Sequence, residues 1–577
     1  MDFDDIYFSR DGVGETLRVF VEPSGILQKA RTSANVCVGE LGFGTGLNFA
    51  VCADQIVQNS SARLHFVSFE KHPLRAADWQ RVLQARGHAS PIYRELLEQP
   101  LPLLSGWHQR VLAGGRVTLQ VFHGDVLRGL NDLVARQANP VDTWFLDGFA
   151  PDRNPHMWRP DVYPQLAQMA CANTTVATFT AAGHVRRRLS EAGFVMRKVD
   201  QRPIKRESLA GHYRGVSQRS RSPRQTEVSV HGAGLGGACV ARQLAEAGMN
   251  VRVFDPQGIA GGASGIGATV LHARLLADGS SNADMRASAF HYASSHLQSF
   301  TDFDACGVMQ AQGPNMDAAK LRRISVAYAA QDPEQHAWIQ HLSQADARSI
   351  SGVPVDGDAL YFPRAGTIWS AELCENLLDH SNIALIKAAE FDRDACNVVC
   401  AATATRGFPG CGHFEITDVT GQLDWYESNA AVARCPVVGN GILIPSAQGC
   451  VLGASYEYTP WPREQATQHN RELNQQFLAG AELRWVDHSR GARCVTSDRV
   501  PVVGALNGEN ALWLATAFGS MGTTLAPLAG AVIAAQLGGW LPPVEADVAQ
   551  LMLPARFAER QARRGIRHIE PWPEDPT

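Results

Sequence analysis

The sequence predicts an α/β protein of two tandem domains, each built around a Rossmann-like strand–glycine loop–helix unit, with an α+β subdomain added to the second. Three observations carry this. The chain has 577 residues, too many for one core and suited to two to four domains. Two glycine-rich turns of different spacing, at residues 42–46 and 232–237, each follow a short apolar strand and open a helix. Between them, residues 217–225 are polar, basic and broken by Pro223, without the apolar period of a packed element, and read as a linker. The expected division is therefore 1–216, a basic linker at 217–226, and 227–577.

Composition narrows the class. Hydrophobic residues at 45% and charged residues at 19% allow large buried cores. The twelve cysteines form no even framework, and Met1-Asp2-Phe3-Asp4-Asp5 is acidic rather than a basic, apolar leader. Free thiols in a reducing cytoplasm are expected. Cys396, Cys400, Cys411 and His413 invite a zinc reading, but Asn397 to Ala402 reads better as a buried strand end, and no metal is expected. No charged residue lies between Glu509 and Glu545. Because residues 519–524 and Pro527 interrupt that stretch, it should split into a strand from Leu512 to Phe518, a loop, and a helix of about a dozen residues. Such a helix is too short to span a membrane, and none is expected. The net charge of −5 is uneven: residues 184–224 hold twelve Lys/Arg against three Asp/Glu. That segment is either the footprint of a polyanion or a solvated linker. Arg556, Arg560, Arg563, Arg564 and Arg567 form a second, weaker basic run.

The first glycine loop lies in "VCVGELGFGTGLNFAV", residues 36–51. Val36-Cys37-Val38 reads as a strand, Gly42, Gly44 and Gly46 as a loop without Cβ atoms, and Leu47 onward as a helix. No Gly-Lys-Ser/Thr follows, which excludes a P-loop, and the spacing lacks the third glycine of a dinucleotide fingerprint. The pattern resembles the E-x-G-x-G-x-G loop of S-adenosylmethionine methyltransferases, with Glu40 facing a cationic ligand. Further apolar strands lead to Glu70, Asp125 and Asp147. These positions place three acids on the carboxyl edge of an open sheet, where α/β folds bind ligands. Each acid alone could equally cap a helix or form a loop salt bridge.

The second loop has a different logic. Val228 to Val230 reads as a strand, Ala238 to Ala247 as a helix and Asn250 to Phe254 as a second strand. Gly232, Gly234 and Gly237 fit G-x-G-x-x-G, and Asp255 ends the second strand. In such a β-α-β unit the glycines make the turn, admit a pyrophosphate and let helix pack on strand, while the acid accepts from a ribose hydroxyl. Downstream, residues 261–270, 360–373, 449–458, 490–504 and 515–530 follow in an order that resembles the FAD-dependent D-amino acid oxidase superfamily. That resemblance implies FAD bound by Gly232, Ala233, Gly234, Gly237, Asp255, Ala263, Ser264, Gly519, Gly522 and Thr523.

Six motifs extend the resemblance over nearly the whole chain: "DDIYFS", "GELGFGTGLNF", "FVSFEKHPL", "FLDGFAPDRNPHMW", "ATFTAAGHVRRRL" and "KRESLAG". They resemble the methyltransferase half of the bifunctional tRNA 5-methylaminomethyl-2-thiouridine biosynthesis family, in which a flavin domain follows. The resemblance implies two steps on the wobble uridine of tRNA, namely FAD-dependent removal of a carboxymethyl arm and then methylation of the freed amine by S-adenosylmethionine. It implies a methyl-donor site of Glu40, Gly42, Gly44, Gly46, Asn48, Glu70, Lys71, Asp125 and Asp147. Asp147 is the candidate to take the amine's proton, and Tyr7, Phe8 and Phe149 are candidates to stack the flipped base. A cytoplasmic monomer is expected. Two departures stand out. Where the family continues Ala-Ser-Gly with Asn-Arg-Gln-Gly, this chain has Ile266-Gly267-Ala268, and Met521 replaces the arginine of the late Gly-Ser-Arg-Gly loop. Arg274 and Arg364 are the candidates to restore a cation for the substrate carboxylate. The alternatives are a flavin domain that acts on a different small amine, or one kept as a structural platform.

Overall fold

The computed structural model describes residues 11–566 except 87–89, 137, 139, 204–205, 217–223, 330–337, 479 and 507–511. It forms two compact units: Met1–Arg224 with Ala535–Ala546, and Gln225–Ala534 with Asp547–Thr577. The expectation of one seam at 217–226 placed residues 535–546 in the C-terminal domain; they cluster instead with the N-terminal unit. A short-range sequence signal cannot anticipate such a return.

The first unit holds one eight-stranded sheet. Its strands are β1 (Asn35–Leu41), β2 (Arg63–Glu70), β3 (Gly106–Leu112), β4 (Val117–His123), β5 (Val141–Leu146), β6 (Ala170–Thr178), β7 (Phe194–Asp200) and β8 (Glu207–Tyr213). They run in the order β3-β4-β2-β1-β5-β6-β8-β7. β4, β2, β1, β5 and β6 are parallel, and β3, β7 and β8 are antiparallel to their neighbours. The chain builds outward from β1 first on one side and then on the other. The β1/β5 boundary is therefore the switch point, outside whose carboxyl ends a crevice opens. Central strands buried on both faces favour apolar runs, and β1, β2 and β5 supply short ones at residues 36–38, 66–67 and 144–146. Phe49, Phe66 and Phe145 fill one face and Trp107, Phe122 and Trp144 the other. At Gly39 a Cβ would lie 2.3 Å from the Trp144 ring, which crosses the paired strand.

The returning segment completes this unit. The side-chain amide of Gln120, fully buried in β4, donates to Leu541 O at 2.7 Å. Arg136 donates to Pro542 O at 2.9 Å and pairs with Asp132 at 2.6 Å. Asp132 in turn accepts from Ala546 N at 2.7 Å. Residues 183–213, within the basic stretch, are a helix (Gly183–Glu191) and the antiparallel β7/β8 pair, not a linker.

In the second unit, a six-stranded sheet runs Ile383–Ile386, Asn250–Phe254, Glu227–His231, Asn397–Val399, Leu512–Thr516, Val502–Leu506. All neighbours are parallel except the last pair. A separate eight-stranded sheet, which includes Ile416–Glu427 paired with Arg484–Thr496, forms the additional α+β layer. The late apolar helix runs Gly522–Gly538, 17 residues rather than about a dozen. With the turn before it, the stretch Gly519–Gly538 is long and apolar enough to cross a membrane by length and composition, but it is 83% buried inside the protein. It reads as a core helix. Pro527 lies inside this helix, where it removes one intrahelical N–H donor. All twelve cysteines are free thiols, and among the described residues no cluster of three or more His, Cys, Asp or Glu is placed to hold a metal.

Candidate active sites

In the first unit, the glycine loop is held against the strand ends by backbone and acid together. Gly42 N and Phe43 N both donate to Phe69 O at 3.1 Å. Gly42 has φ +84°, and a Cβ there would come within 3.0 Å of Gly148 Cα, so only glycine lets the loops after β1 and β5 meet. Glu70, at the end of β2, accepts from Gly44 N through Oε2 and from His72 N through Oε1, each at 2.8 Å. Its carboxylate therefore shapes the loop, and each oxygen keeps a second lone pair for a ligand. Lys71 beside it is exposed.

Glu40 lies on β1, fully buried. Its Oε2 accepts from Ser68 Oγ at 2.7 Å, while Oε1 is buried without a hydrogen-bond partner. Burial pushes its pKa well above the usual carboxylate range, against the Ser68 bond and with the nearby Asp147 adding to the rise. An orphaned acid oxygen in a dry site fits a ligand that brings positive charge, as a sulfonium or ammonium does.

Asp147 follows β5 directly and accepts from Asn48 Nδ2 at 2.6 Å. Asn48 is itself oriented by Thr16, whose hydroxyl donates to Asn48 Oδ1 at 2.6 Å. The predicted set Glu40, Gly42, Gly44, Asn48, Glu70 and Asp147 is thus brought together at the switch point. Asp125 differs: its strand ends at His123, and its carboxylate caps the helix Val126–Ala135 through Leu127 N at 3.0 Å and pairs with Arg159. Cap and salt bridge are the two structural readings that stand beside ligand binding in the sequence. Phe149 is half-buried, with its carbonyl accepting from Trp158 Nε1 at 3.0 Å. Tyr7 and Phe8 lie outside the described residues.

In the second unit, a cavity of about 1380 Å³ opens where the strand Glu227–His231 meets its glycine turn. That volume exceeds the ordinary range for a drug-sized ligand and suits a dinucleotide with a substrate beside it. Gly232, Gly234, Asp255, Ala263, Ser264, Gly519, Gly522 and Thr523 all line it. A Cβ on Gly237 would fall 1.7 Å from Gly232 O, so the helix can seat on the turn only with glycine there. Asp255 accepts from Ala233 N and Gln257 N at 2.8 Å each, and Ser264 Oγ accepts from Leu235 N at 2.8 Å. The turn is therefore pre-built around a space for pyrophosphate, and these residues fit FAD.

The cations divide. Arg274 lines the cavity and donates to Ser520 Oγ at 3.1 Å, next to Met521. It is exposed to the cavity yet surrounded by protein, and burial lowers its pKa. Arg364 does not line the cavity; it donates to Ser295 Oγ at 2.9 Å. In its place stands Arg493, on the strand Arg484–Thr496, which sequence reasoning did not single out. It lines the cavity as Arg274 does, and burial, with the Arg274 charge, depresses its pKa against the opposing Tyr456 and Glu457. Gly421, on the paired strand, makes the room: a Cβ there would lie 2.2 Å from Arg493 Nη1. Tyr456 also lines the cavity, its ring centroid 5.8 Å from the Arg493 guanidinium. The signal for Arg493 was present, since residues 490–504 belong to the flavin-like order of segments, but its side-chain direction depends on strand pairing.

Comparison with known proteins finds two domain families in the chain. Residues 88–214 match a family of S-adenosyl-L-methionine-dependent methyltransferases, and residues 227–382 and 416–536 match the FAD dependent oxidoreductases. The tRNA 5-methylaminomethyl-2-thiouridine biosynthesis bifunctional protein MnmC of Pseudomonas entomophila is 33% identical, over 98% of this chain and 96% of its own. Its counterpart in Pseudomonas aeruginosa is 32% identical, over 98% and 97%. Among solved structures, glycine oxidase from Geobacillus kaustophilus superposes with a TM-score of 0.48 at 17% identity, over 57% of this chain and 99% of its own. The chain belongs to the bifunctional MnmC family, as an enzyme that joins an S-adenosylmethionine-dependent methyltransferase to an FAD-dependent oxidoreductase.

Proposed function

We propose that the protein performs two consecutive modifications of the wobble uridine of tRNA. The oxidoreductase unit converts 5-carboxymethylaminomethyl-2-thiouridine to 5-aminomethyl-2-thiouridine, and the methyltransferase unit then makes 5-methylaminomethyl-2-thiouridine. Bound FAD supplies hydride acceptance from the carbon beside the amine, which yields a C=N bond that water hydrolyses. The chain's own residues recognise the arm.

The observation that carries this reading is the convergence of Arg274 and Arg493 on the cavity. Two guanidinium groups that line one cavity, both with pKa lowered by burial, are suited to receive a substrate carboxylate. Their presence supports an oxidase role despite Met521. In the other unit, Asp147 is positioned to accept the proton that an ammonium must lose before it attacks a sulfonium methyl. The polyanionic partner is supported by Arg186, Arg187, Arg197 and Lys198, exposed on the helix Gly183–Glu191 and edge strand β7. The relatives' name supports the same substrate.

Nucleoside mass spectrometry tests the reading. Hypomodified tRNA incubated with the protein should lose the carboxymethyl form and accumulate the aminomethyl form, which proceeds to the methylated nucleoside only when S-adenosylmethionine is added. Methylation of aminomethyl tRNA with the carboxymethyl form untouched would instead make the flavin unit structural.

A further inference from the structure

Beside the flavin cavity, two tyrosines stand out of the surface rather than into a core. Tyr456 is 39% exposed and Tyr458 64% exposed. Tyr456 lines the cavity, while Tyr458 reaches further out, its ring edge-on to Tyr456 with centroids 5.6 Å apart. The residue between them points the other way. Glu457 is buried, accepts from Ser455 Oγ and Trp461 N, and pairs with Arg490. Its backbone also bridges Thr420. The buried carboxylate pins the segment so that both rings must face outward.

Arg499 fixes the rings from the side. Its guanidinium donates to the Tyr456 hydroxyl and, at 2.7 Å, to the Tyr458 hydroxyl, and lies 5.6 Å from the Tyr456 ring centroid. Arg499 holds φ +62°, a left-handed conformation uncommon outside glycine and often found at ligand clamps. The turn that imposes it is anchored: Asp498 accepts from Val500 N at 3.1 Å and from Arg556 Nε at 3.0 Å. An arginine of left-handed conformation that bonds two exposed aromatic rings at a cavity rim makes a preorganised surface, with Tyr458 the more exposed of the two.

We infer that Tyr458, braced by Tyr456 and Arg499, is a stacking platform for the nucleobase whose reacting arm enters the flavin cavity. The inference rests on the proposed tRNA reading and names the part of the oxidoreductase unit that recognises the nucleotide itself. A flat aromatic face with adjoining guanidinium groups is the chemistry that holds an unstacked base of single-stranded RNA. Charge complementarity favours RNA over an apolar partner, because Arg493 and Arg499 flank the rings and no acidic side chain but the buried Glu457 interrupts the segment 455–458.

The test is anaerobic reduction of the full-length flavoprotein by hypomodified tRNA, followed at the flavin absorbance band. Base stacking is worth about 1–3 kcal/mol per base by alanine substitution, so Tyr458→Ala should raise the apparent Kd for tRNA roughly 5- to 150-fold. The limiting rate of reduction and the FAD content should change little. Tyr458→Phe, which loses the bond to Arg499 but keeps the ring, should restore most of the affinity. An unchanged Kd in Tyr458→Ala overturns the inference. A fall in the limiting rate with an unchanged Kd overturns it too, because the ring then shapes the cavity and holds no base. If wild-type flavin is not reduced by this tRNA at all, the tRNA reading fails first, and that outcome is visible before any variant is compared.

Discussion

The hydrogen bond from Asn48 to Asp147 permits a quantitative test of the methyl-transfer site. At 2.6 Å, from an amide itself held by Thr16, it is short and directional. Hydrogen bonds to charged groups contribute about 1.5–3 kcal/mol. If Asn48 acts by orienting Asp147, Asn48→Ala should therefore slow methylation of aminomethyl tRNA roughly 10- to 150-fold. Loss of the general base itself should cost more, and Asp147→Ala is expected to fall ~10²–10⁴-fold. Because both act through one carboxylate, the double variant should be no slower than Asp147→Ala alone. The assay is methyl transfer from S-adenosylmethionine, with flavin content and oxidation of the carboxymethyl form as internal controls. Losses that multiply in the double variant would show that Asn48 acts independently of Asp147. An Asp147→Ala enzyme of near wild-type rate would remove Asp147 from the chemistry.

Three further outcomes are expected. Gly237→Ala drives a Cβ to 1.7 Å from Gly232 O; overpacking of this kind costs about 1–3 kcal/mol, and the purified variant should lose most of its FAD absorbance while binding S-adenosylmethionine normally. Asp498 is held at about 2, since its bonds to Arg556 and Arg560 outweigh the burial that would raise it. A depressed carboxylate contributes stability that is present above the ordinary pKa near 4 and lost as pH falls towards 2. The stability advantage of wild type over Asp498→Asn should thus shrink by about 2 kcal/mol between pH 5 and pH 2 in denaturant titrations, and a pH-independent difference would refute the assignment. A fragment ending at Arg224 leaves Gln120 and Arg136 without their carbonyl acceptors at Leu541 and Pro542. Gln120 keeps its bond to Gln109 and Arg136 its pair with Asp132, but each lost buried hydrogen bond costs about 0.5–1.5 kcal/mol, so the fragment should melt below the same unit in the full chain, and adding a peptide of residues 535–546 should raise its midpoint.

The parts of this protein legible in its sequence are those governed by local rules. Strand, glycine loop and helix occur around residues 36–51 as the apolar period and absent Cβ atoms require, and the strand Asn250–Phe254 has the expected bounds. Asp147 follows its strand because an apolar run must stop where the sheet edge meets solvent. What escaped depends on distant pairing. Arg493 and Arg364 are equally plausible in one dimension. Only the register with Ile416–Glu427, which sets Gly421 beneath Arg493, turns one of them into the cavity. Asp125 caps the following helix because β4 ends at His123, two residues before it. The late helix proved longer than expected because its neighbours bury Pro527 and the flanking glycines, which lowers the weight of intrinsic propensity.

The segment 535–546 also sets a timetable. On the ribosome the first unit emerges up to Arg224, and the residues that complete it follow only after roughly 310 more. At about 5–20 residues per second, that is an interval of about 15–60 s in which an almost finished methyltransferase waits without the carbonyl acceptors of Leu541 and Pro542 for Gln120 and Arg136. The whole flavin-binding sequence is made inside that interval. A chaperone or protease that samples nascent chains would therefore meet the N-terminal half in its most open form while the C-terminal half is being synthesised. A stop codon before residue 546 would leave the first unit without the segment that completes it as well as truncating the second.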